Sequence, residues 1–347
     1  MESKQEYKSY NIQYQVDENG LQMNYDQTIL YGYVGGEITK LEVPDSIVEI
    51  APHAFEGISS LQEVMLHEGL QTLGDYAFHR TSIAKAKLPS TVKDLGICCF
   101  TQDDMFLDEF EPCHYIELEV DQDNPYLRSD GQCIYKRMED GTEELLLCNQ
   151  SNITSYKMAD GTVRIHKQAF LGCSKLTSIT FNNQLKAIEE DVFNDCKLER
   201  LNIPASVENM SNLPFLTYWT KCGSRYRITL KIDPENRQYF NINGTVYKRG
   251  IEGNSLICCS SNETIIPVQD GTTIIGAKAF AECSELEKVI LPDTIKVIEK
   301  DAFRFCESLT TITTSEQGEE EGLFLPASIE MIEDSAFFGC SIEVLNK

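Results

Sequence analysis

Phenylalanine recurs along the chain at intervals of 22 or 23 residues within each group of three, except for a final gap of 34 residues. That gap contains the acidic segment SEQGEEEG, predicted here to be a loop that accounts for eleven extra residues. A fixed period of this length indicates a solenoid, because one repeat cannot bury its apolar face alone and must stack on its neighbours. The nine markers are Phe55, Phe78, Phe100, Phe170, Phe193, Phe215, Phe280, Phe303 and Phe337.

Three further columns are apolar in every repeat when the chain is aligned on these phenylalanines. Ile50 represents the column five residues upstream of the marker, and Leu41 and Val43 represent the columns fourteen and twelve upstream. Residues two apart share one face of a strand. Each repeat is therefore predicted to supply one short strand and a return segment to a mainly β solenoid.

A second, longer period is superimposed on the first. The segments NIQYQVDEN, IELEVDQDN and ITLKIDPEN, which begin at Asn11, Ile116 and Ile228, each resemble an alternating strand that ends in an acidic turn. In the second and third copies a hairpin is expected to follow, with Gly131 and Gly244 as its turn residues. The interposed hairpins thus separate three groups of three short repeats.

The first copy of this segment is looser, with Tyr31-Gly32-Tyr33 at the place of the hairpin. The longer period predicts module 1 over residues 1–115, module 2 over residues 116–227 and module 3 over residues 228–347. We expect the three modules to form one continuous solenoid, a leucine-rich repeat ladder of about nine coils.

The net charge of the chain excludes some classes of partner. Thirty basic and fifty-five acidic side chains give a net charge of −25, so phosphate backbones and anionic lipid surfaces are repelled and nucleic acid is not an expected partner. No apolar run approaches the roughly 18–20 residues that span a bilayer, so no membrane insertion is expected. The N-terminal MESKQEYKSYNIQYQ does not resemble a secretory signal. A cytoplasmic protein and a surface protein whose leader has been removed both stay open.

Cysteine is abundant, but its spacing does not match a metal or redox motif. The chain has thirteen cysteines and no C-x-x-C pair. The adjacent pairs Cys98-Cys99 and Cys258-Cys259 should face opposite sides of a strand, which would leave one thiol of each pair at the surface. At the position three residues after a marker, we expect cysteine to be a small apolar side chain packed in successive coils, and a metal or redox ladder is the alternative. Five cysteines occupy it, namely Cys173, Cys196, Cys283, Cys306 and Cys340.

No catalytic motif is found. His53 and His79 flank an Ala-Phe step, where solvated side chains are expected, and the chain has no H-E-x-x-H, G-x-S-x-G or phosphate-binding glycine loop. Carboxylates at Asp121 and Asp233 could hold calcium, but turn chemistry accounts for them as well. The sequence therefore predicts a non-enzymatic protein with no cofactor and no metal site.

The outward side chains of the strand ladder are where a solenoid binds its partners. Over the 27 predicted outward positions the charges sum to +1, so the ladder is nearly neutral on an acidic body. The last three repeats carry apolar residues at these positions, and a contiguous apolar stripe is a docking candidate unless a hairpin or the Glu-rich loop covers it. The partner-binding candidates are Ile265, Pro267, Lys288, Ile290 and Phe324.

The passages KLPSTVKDLGICCF, CSELEKVILPDTIKVIEKDAF and AFLGCSKLTSITF resemble the BspA-like leucine-rich repeat family, whose short repeat is C-x-x-L-x-x-I-x-L-P-x-x-V-x-x-I-G-x-x-A-F. The resemblance covers nearly the whole chain, with local departures such as Asn182 in place of proline and Thr81 in place of cysteine. It implies a solenoid with a binding role and no shared catalytic motif. Relatives of this kind are often bacterial or protist surface proteins implicated in adhesion and contact with host proteins.

Three functional hypotheses follow. The first is a non-enzymatic protein-protein interaction module, with adhesion or host-protein binding as its role. The second is an intracellular structural scaffold, which the missing leader and the odd number of cysteines favour. The third is a glycan-binding protein, although no convergent polar site is found. A protein is the expected partner, and a glycan is the alternative.

Overall fold

The computed structural model describes residues 13–102, 114–211, 216–219, 225–314 and 321–342. Every regular element in these ranges is a β-strand. The described residues form two compact units. The first unit runs up to Ile153 and includes Gln168–Ser174, and the second comprises Thr154–Lys167 and the residues from Lys175 onwards. Each unit is a stack of coils, which confirms the predicted mainly β repeat solenoid.

One face of each unit is a ladder of short parallel strands, called the front ladder here. Neighbouring strands pair in register within short runs of two to four strands; Leu41, for example, lies opposite Val64 in the next coil. Its strands in the first unit are Lys40–Glu42, Glu63–Met65, Lys85–Leu88 and Glu117–Val120. Its strands in the second unit are Ser155–Lys157, Ser178–Thr180, Arg200–Ile203, Thr229–Ile232, Ile265–Pro267, Lys288–Ile290, Thr311–Thr313 and Gly322–Leu323.

The return segments form a second parallel ladder, the rear ladder. Its pairs are again one coil apart, as with Ile50 and Leu73. In the first unit the rear strands are Ile29–Tyr33, Glu49–Ile50, Thr72–Leu73 and Asp94–Leu95. In the second unit they are Thr162–Ile165, Ala187–Ile188, Asn209–Met210, Asn254–Cys259, Thr272–Ile275, Val297–Ile298 and Met331–Ile332.

Antiparallel meanders are interposed between groups of coils. Gly131 and Gly244 adopt φ values of +89° and +81° in the tight turns of the second and third meanders, a region that glycine enters without steric cost. The remaining meander strands are Gln15–Val16, Leu21–Met23, Leu127–Ser129, Cys133–Arg137, Glu143–Cys148, Tyr239–Ile242 and Thr245–Lys248. Two separate antiparallel pairs join Thr101–Gln102 to His114–Tyr115 and Leu216–Trp219 to Arg225–Arg227.

The marker phenylalanines form the centre of the core. Ring centroids of Phe55 and Phe78 are 5.3 Å apart and those of Phe78 and Phe100 are 4.8 Å apart, with nearly parallel planes. In the second unit Phe303 stacks on Phe280 at 4.9 Å. These separations match the spacing of neighbouring strands, so one coil adds one ring to the stack. The marker Phe215 lies outside the described residues.

The residue two positions before each described marker is left-handed, and none of these residues is glycine. Their φ values run from +52° to +61°, a conformation that costs an L-residue about 1–2 kcal/mol. Hydrogen bonds to the next coil offset this conformational cost, as with the bond from Phe55 N to Ala77 O at 2.8 Å. The residues in this conformation are His53, Tyr76, Cys98, Gln168, Asp191, Lys278, Asp301 and Ser335.

The N-terminal copy of the interposed segment differs from the prediction. Gln15–Val16 pairs antiparallel with Leu21–Met23, so it is the first strand of a meander and not a ladder strand. Tyr31-Gly32-Tyr33 correspondingly lies in the third strand of that meander. The cause is Asp17, whose carboxylate accepts the backbone N–H of Asn19 and of Leu21 and so closes a tight turn directly after the first strand.

The long gap before Phe337 contains more than a loop. Thr311–Thr313 pairs in parallel with Lys288–Ile290 and with Gly322–Leu323, so the gap holds a further strand of the front ladder. Leu309 and Ile312 repeat the spacing of the buried Leu286 and Val289 one coil earlier. The gap therefore holds two strands of the front ladder, Thr311–Thr313 and Gly322–Leu323, and Thr311–Thr313 is called the additional strand because no marker phenylalanine follows it before Gly322–Leu323. Most of the predicted loop, residues 315–320, lies outside the described residues.

The ladder strands of the interposed segments extend the neighbouring coils. Glu117–Val120 pairs with Lys85–Leu88 residue by residue, and Thr229–Ile232 does the same with Arg200–Ile203. The division into three modules at residues 115 and 227 stays a prediction.

Buried asparagines connect these ladder strands to the meanders. The side chain of Asn124 donates to the carbonyls of Pro89 and Val92 at 2.8 Å and accepts the N–H of Tyr126 and of Leu127. Asn236 makes the same four bonds one module later, to Pro204, Val207, Gln238 and Tyr239. An asparagine amide has two donor hydrogens and two acceptor lone pairs, so all four are satisfied.

Replacing Asn124 by alanine should lower the free energy of unfolding by about 2–4 kcal/mol, because four buried backbone groups lose their partner and each orphaned group costs about 1–3 kcal/mol before relaxation. Urea denaturation measures the change. The exposed neighbour Asp123 is the matched control, and Asp123→Ala should change the free energy by less than about 0.5 kcal/mol. Equal effects of the two substitutions would contradict the role of Asn124.

Candidate functional site

The front ladder presents alternate side chains to the outside. Its short strands place the central residue, such as Leu41 or Ile266, in the core and leave the flanking residues outward. The outward side chains are mostly paired charges in the first unit, whereas exposed apolar side chains appear in the second.

In the first unit, opposite charges are paired along the outward rows. Lys40 Nζ lies 3.0 Å from a Glu42 carboxylate oxygen and 3.7 Å from one of Glu63. Lys85 Nζ lies 3.2 Å from Glu117 and 2.6 Å from Glu119. The hydrogen bond to Glu119 is the main cause that raises the pKa of Lys85, and it lowers the pKa of Glu119. This part of the ladder is polar and largely neutralised.

A polar cleft of about 480 Å³ opens beside the last ladder strand of the first unit. Lys87, Glu119, Asp121, Ser129 and Asn149 are among its lining residues. Lys87 Nζ lies 2.7 Å from a carboxylate oxygen of Asp121, so two of the charges are paired with each other.

In the second unit the outward rows become apolar towards the C-terminal end. Ile265 is 49% exposed and Phe324 is 44% exposed, and Pro267 is exposed as well. Ile290 and Lys288 are half-buried. Ile265 lies opposite Lys288 and Pro267 lies opposite Ile290 in the parallel register. The C-terminal patch is defined here as these five residues.

The predicted stripe is not contiguous, which corrects the expectation from the sequence. Thr313 lies opposite Ile290 in the additional strand, and it separates Ile290 from Phe324. Thr311 and Thr313 are both buried although they occupy outward positions. The ring of Phe324 lies over Gly322, where an added Cβ would be 3.3 Å from a ring carbon. The spacing of Leu309 and Ile312 is the sequence signal that predicts this extra strand.

The expectation of one surface thiol in each adjacent cysteine pair is wrong for the first pair, and the expected exposure of His79 is wrong as well. Cys98 and Cys99 are both buried, and burial raises the pKa of Cys98 to about 11. In the second pair Cys258 is partly exposed and Cys259 is buried, as expected. His79 is buried, and its Nδ1 lies 2.7 Å from the hydroxyl of Thr101. His53 is partly exposed, with its ring stacked on Tyr76 at 5.2 Å. Cys98, Cys99 and the two histidines all lie in the turn around a marker phenylalanine and not in a strand, so alternation within a strand does not predict their burial.

The acidic turns are accounted for by their own hydrogen bonds. Asp121 accepts the N–H of Asp123 at 3.0 Å, and Asp233 accepts the N–H of Glu235 at 2.8 Å. Across the described ranges, no three His, Cys, Asp or Glu side chains are grouped so that they could hold a metal ion. Nor does any helix in the described part of the chain have the length and apolarity to span a bilayer.

One half-buried carboxyl group stands apart from the ladder. Asp195 is left-handed, with φ +65°, at a turn position where Gly57, Gly172 and Gly339 stand in other coils. Its Oδ1 is buried and has no hydrogen-bond partner. Burial raises the pKa of Asp195 to about 6. Because no partner charge or second titratable group accompanies that shift, we interpret it as a local packing cost and not as a catalytic centre.

Parallel ladders, a stacked phenylalanine column and outward rows of side chains define a leucine-rich repeat protein, a class that serves as a protein-interaction module. The chain matches the BspA type leucine rich repeat region in six copies, over residues 31–112, 145–229 and 249–322. It belongs to this family. Members of the family are typically non-enzymatic interaction modules.

Several solved bacterial structures are similar to this chain at low identity. A leucine rich cell surface protein from Faecalibacterium prausnitzii is 19% identical, with 94% of this chain and 86% of that chain covered and a TM-score of 0.44. A leucine-rich repeat protein from Eubacterium ventriosum is 18% identical, with 89% and 78% covered and a TM-score of 0.47. The pneumococcal vaccine antigen PcpA is 17% identical, with 82% and 64% covered and a TM-score of 0.34. Among curated proteins, none matches the chain.

Removing the charge of Asp195 should stabilise the protein above pH 6. The pKa of Asp195 is raised on folding, so the folded state binds the proton more tightly and the wild type loses stability as the pH rises from about 4 through about 6. Asp195→Asn should therefore melt higher than the wild type at pH 7.5, and the difference should vanish below pH 4. Thermal melts across this pH range measure it.

The variant Asp195→Gly distinguishes the effect of the buried charge on stability from the effect of the left-handed backbone. This variant should carry the same pH-dependent gain and an additional gain at every pH, because glycine adopts the left-handed turn without steric cost. A pH-independent difference between Asp195→Asn and the wild type would contradict the burial argument.

Proposed function

We propose that the chain is a non-enzymatic protein-binding module that acts in adhesion or host-protein contact, and that it docks its partner on the C-terminal patch. The observation that carries the proposal is the change in chemistry along the front ladder. Lys40 and Lys85 pair with neighbouring carboxylates in the first unit, whereas Ile265, Pro267 and Phe324 expose apolar surface in the second. Exposed apolar groups on a polar body are typical of interaction sites.

The acidic body limits the kind of partner. The net charge of −25 repels other acidic proteins, and it attracts a partner whose contact surface has a basic rim. Apolar side chains at the centre of that contact would pack against Ile265 and Phe324, because interface centres are enriched in apolar and aromatic groups. The expected partner is therefore a protein with an apolar contact and basic surroundings.

The test compares the double variant Ile265→Ser, Phe324→Ser with the matched control Met65→Ser. Met65 is 49% exposed on the front ladder of the first unit, so the control removes an equally exposed apolar side chain outside the patch. Affinity capture from host lysate and from lysate of the producing cell, with quantitative mass spectrometry, identifies the captured protein, and its affinity for each variant is then measured with purified material.

The double variant should bind at least about tenfold more weakly, because central apolar contacts contribute about 1 kcal/mol or more each. Met65→Ser should bind like the wild type. Both variants should keep the wild-type melting temperature, since all three side chains are exposed. Unchanged binding of the double variant would refute docking on the patch. Capture only from the producing cell would favour the scaffold hypothesis, and binding confined to a glycan array would favour the glycan hypothesis.

A further inference from the structure

Three cysteines of the second unit occupy the same position in consecutive coils. Cys283, Cys306 and Cys340 each follow their marker phenylalanine by three residues. The N–H of each cysteine bonds to the carbonyl of its own marker at 3.1, 3.1 and 3.2 Å, so the local turn is the same in all three coils. The three side chains therefore repeat at the coil spacing.

That spacing is measured directly beside the cysteines. The stacked rings of Phe280 and Phe303 are 4.9 Å apart, and those of Phe303 and Phe337 are 5.2 Å apart. Backbone hydrogen bonds join the same turns, from Phe280 N to Ala302 O at 2.8 Å and from Phe303 N to Ala336 O at 2.7 Å. Disulfides join cysteines whose Cα atoms are about 4.4–6.8 Å apart. The coil spacing therefore lies within the range of Cα separations that a disulfide joins.

The thiols themselves are in contact. The Cys306 thiol lies within hydrogen-bonding reach of the thiols of both Cys283 and Cys340. Cys306 Sγ donates to Phe280 O at 3.0 Å and Cys340 Sγ donates to Phe303 O at 2.8 Å, so both side chains point towards the preceding coil. The three sulfur atoms form a continuous column, called the thiol column here.

Only one end of the thiol column is open to solvent. Cys340 is partly exposed, whereas Cys283 and Cys306 are buried. Contact with the Cys306 thiol lowers the pKa of Cys340, whereas contact with both neighbours and burial raise the pKa of Cys306. The accessible thiol is thus also the one that ionises more readily, and thiolate is the form that attacks a disulfide.

We propose that the thiol column is a site of thiol-disulfide exchange, at which a small-molecule disulfide such as oxidised glutathione reacts with Cys340 and the oxidation passes inward to Cys306 and Cys283.

The exchange balances without another reactant. The Cys340 thiolate attacks one sulfur of oxidised glutathione, which forms a mixed disulfide and releases one glutathione thiolate. The Cys306 thiol then gives up its proton and attacks the Cys340 sulfur, which forms the Cys306–Cys340 disulfide and releases the second glutathione. Two protein thiols are oxidised, one glutathione disulfide is reduced, and the two thiol protons end on the two glutathiones. Attack of Cys283 on Cys306 moves the disulfide inward and restores the Cys340 thiol.

The first unit contains a matched set of three thiols with no open end. Cys133 and Cys148 lie opposite each other on neighbouring strands, and the Cys148 thiol contacts those of Cys133 and Cys173. Those two contacts lower the pKa of Cys148 to about 4, yet all three side chains are buried. The two sets therefore differ in access, and the buried set is the internal control.

The experiment exposes the full native chain to oxidised glutathione at pH 7.5, then denatures it in the presence of an alkylating reagent that blocks every thiol still reduced, and maps disulfides by mass spectrometry without reduction. We expect a Cys306–Cys340 disulfide, with a Cys283–Cys306 disulfide at longer times, while Cys133, Cys148 and Cys173 stay reduced and are recovered in the alkylated form. Site-resolved mapping keeps adducts at any other cysteine separate from the column. Oxidation of the buried set at the same rate would overturn the proposal, because access would not be the determinant.

Two variants test the order of events. Cys306→Ala should accumulate the mixed disulfide of Cys340 with glutathione, because the thiol that resolves it is absent. Cys340→Ser should leave Cys283 and Cys306 reduced in the folded chain. Cys133, Cys148 and Cys173 are buried in the folded chain. If these three thiols stay unreactive in a variant, that variant is folded. A Cys283–Cys306 disulfide that forms equally fast in Cys340→Ser would refute entry at Cys340, and absence of the mixed disulfide in Cys306→Ala would refute the relay.

Discussion

The structure depends on hydrogen bonds that run from one coil to the next at the turn around each marker phenylalanine. The turn begins with a left-handed residue that is never glycine in the described coils, so each coil adopts a conformation that it would not favour alone. Bonds such as Phe55 N to Ala77 O and Phe78 N to Cys99 O supply the compensation, and they exist only when a neighbouring coil is present. Stability therefore comes from stacking, and the stacked rings, the parallel ladders and the thiol column all follow from the same coil spacing.

The regular spacing of the coils explains which features of the structure are predictable from the sequence. The phenylalanine column, the front strands and the exposure of Ile265 and Pro267 are predictable, because each depends on a short period and on alternation within one strand. The strand Thr311–Thr313 has no marker phenylalanine of its own, so alignment on phenylalanine misses it and joins Ile290 to Phe324 wrongly. The burial of His79 is not predictable from alternation either, because it depends on a contact with the hydroxyl of Thr101 in the next coil.

The outward side chains of the front ladder differ in how they are partnered. Lys85 pairs with Glu117 and Glu119, and exposed ion pairs of this kind contribute little to stability. The C-terminal patch lacks such pairing at Ile265 and Pro267. The difference is chemical and not architectural, since the same parallel strands carry both surfaces.

The additional strand has a geometric consequence at the C-terminal end of the second unit. Between Lys288–Ile290 and Gly322–Leu323 the front ladder advances by two strand spacings, whereas Val297–Ile298 pairs directly with Met331–Ile332 and the rear ladder advances by one. One spacing is about 4.8 Å, so the final coil is wedge-shaped and its plane is inclined to the coils before it. Phe324, which directly follows Gly322–Leu323, therefore lies on the wide side of that wedge.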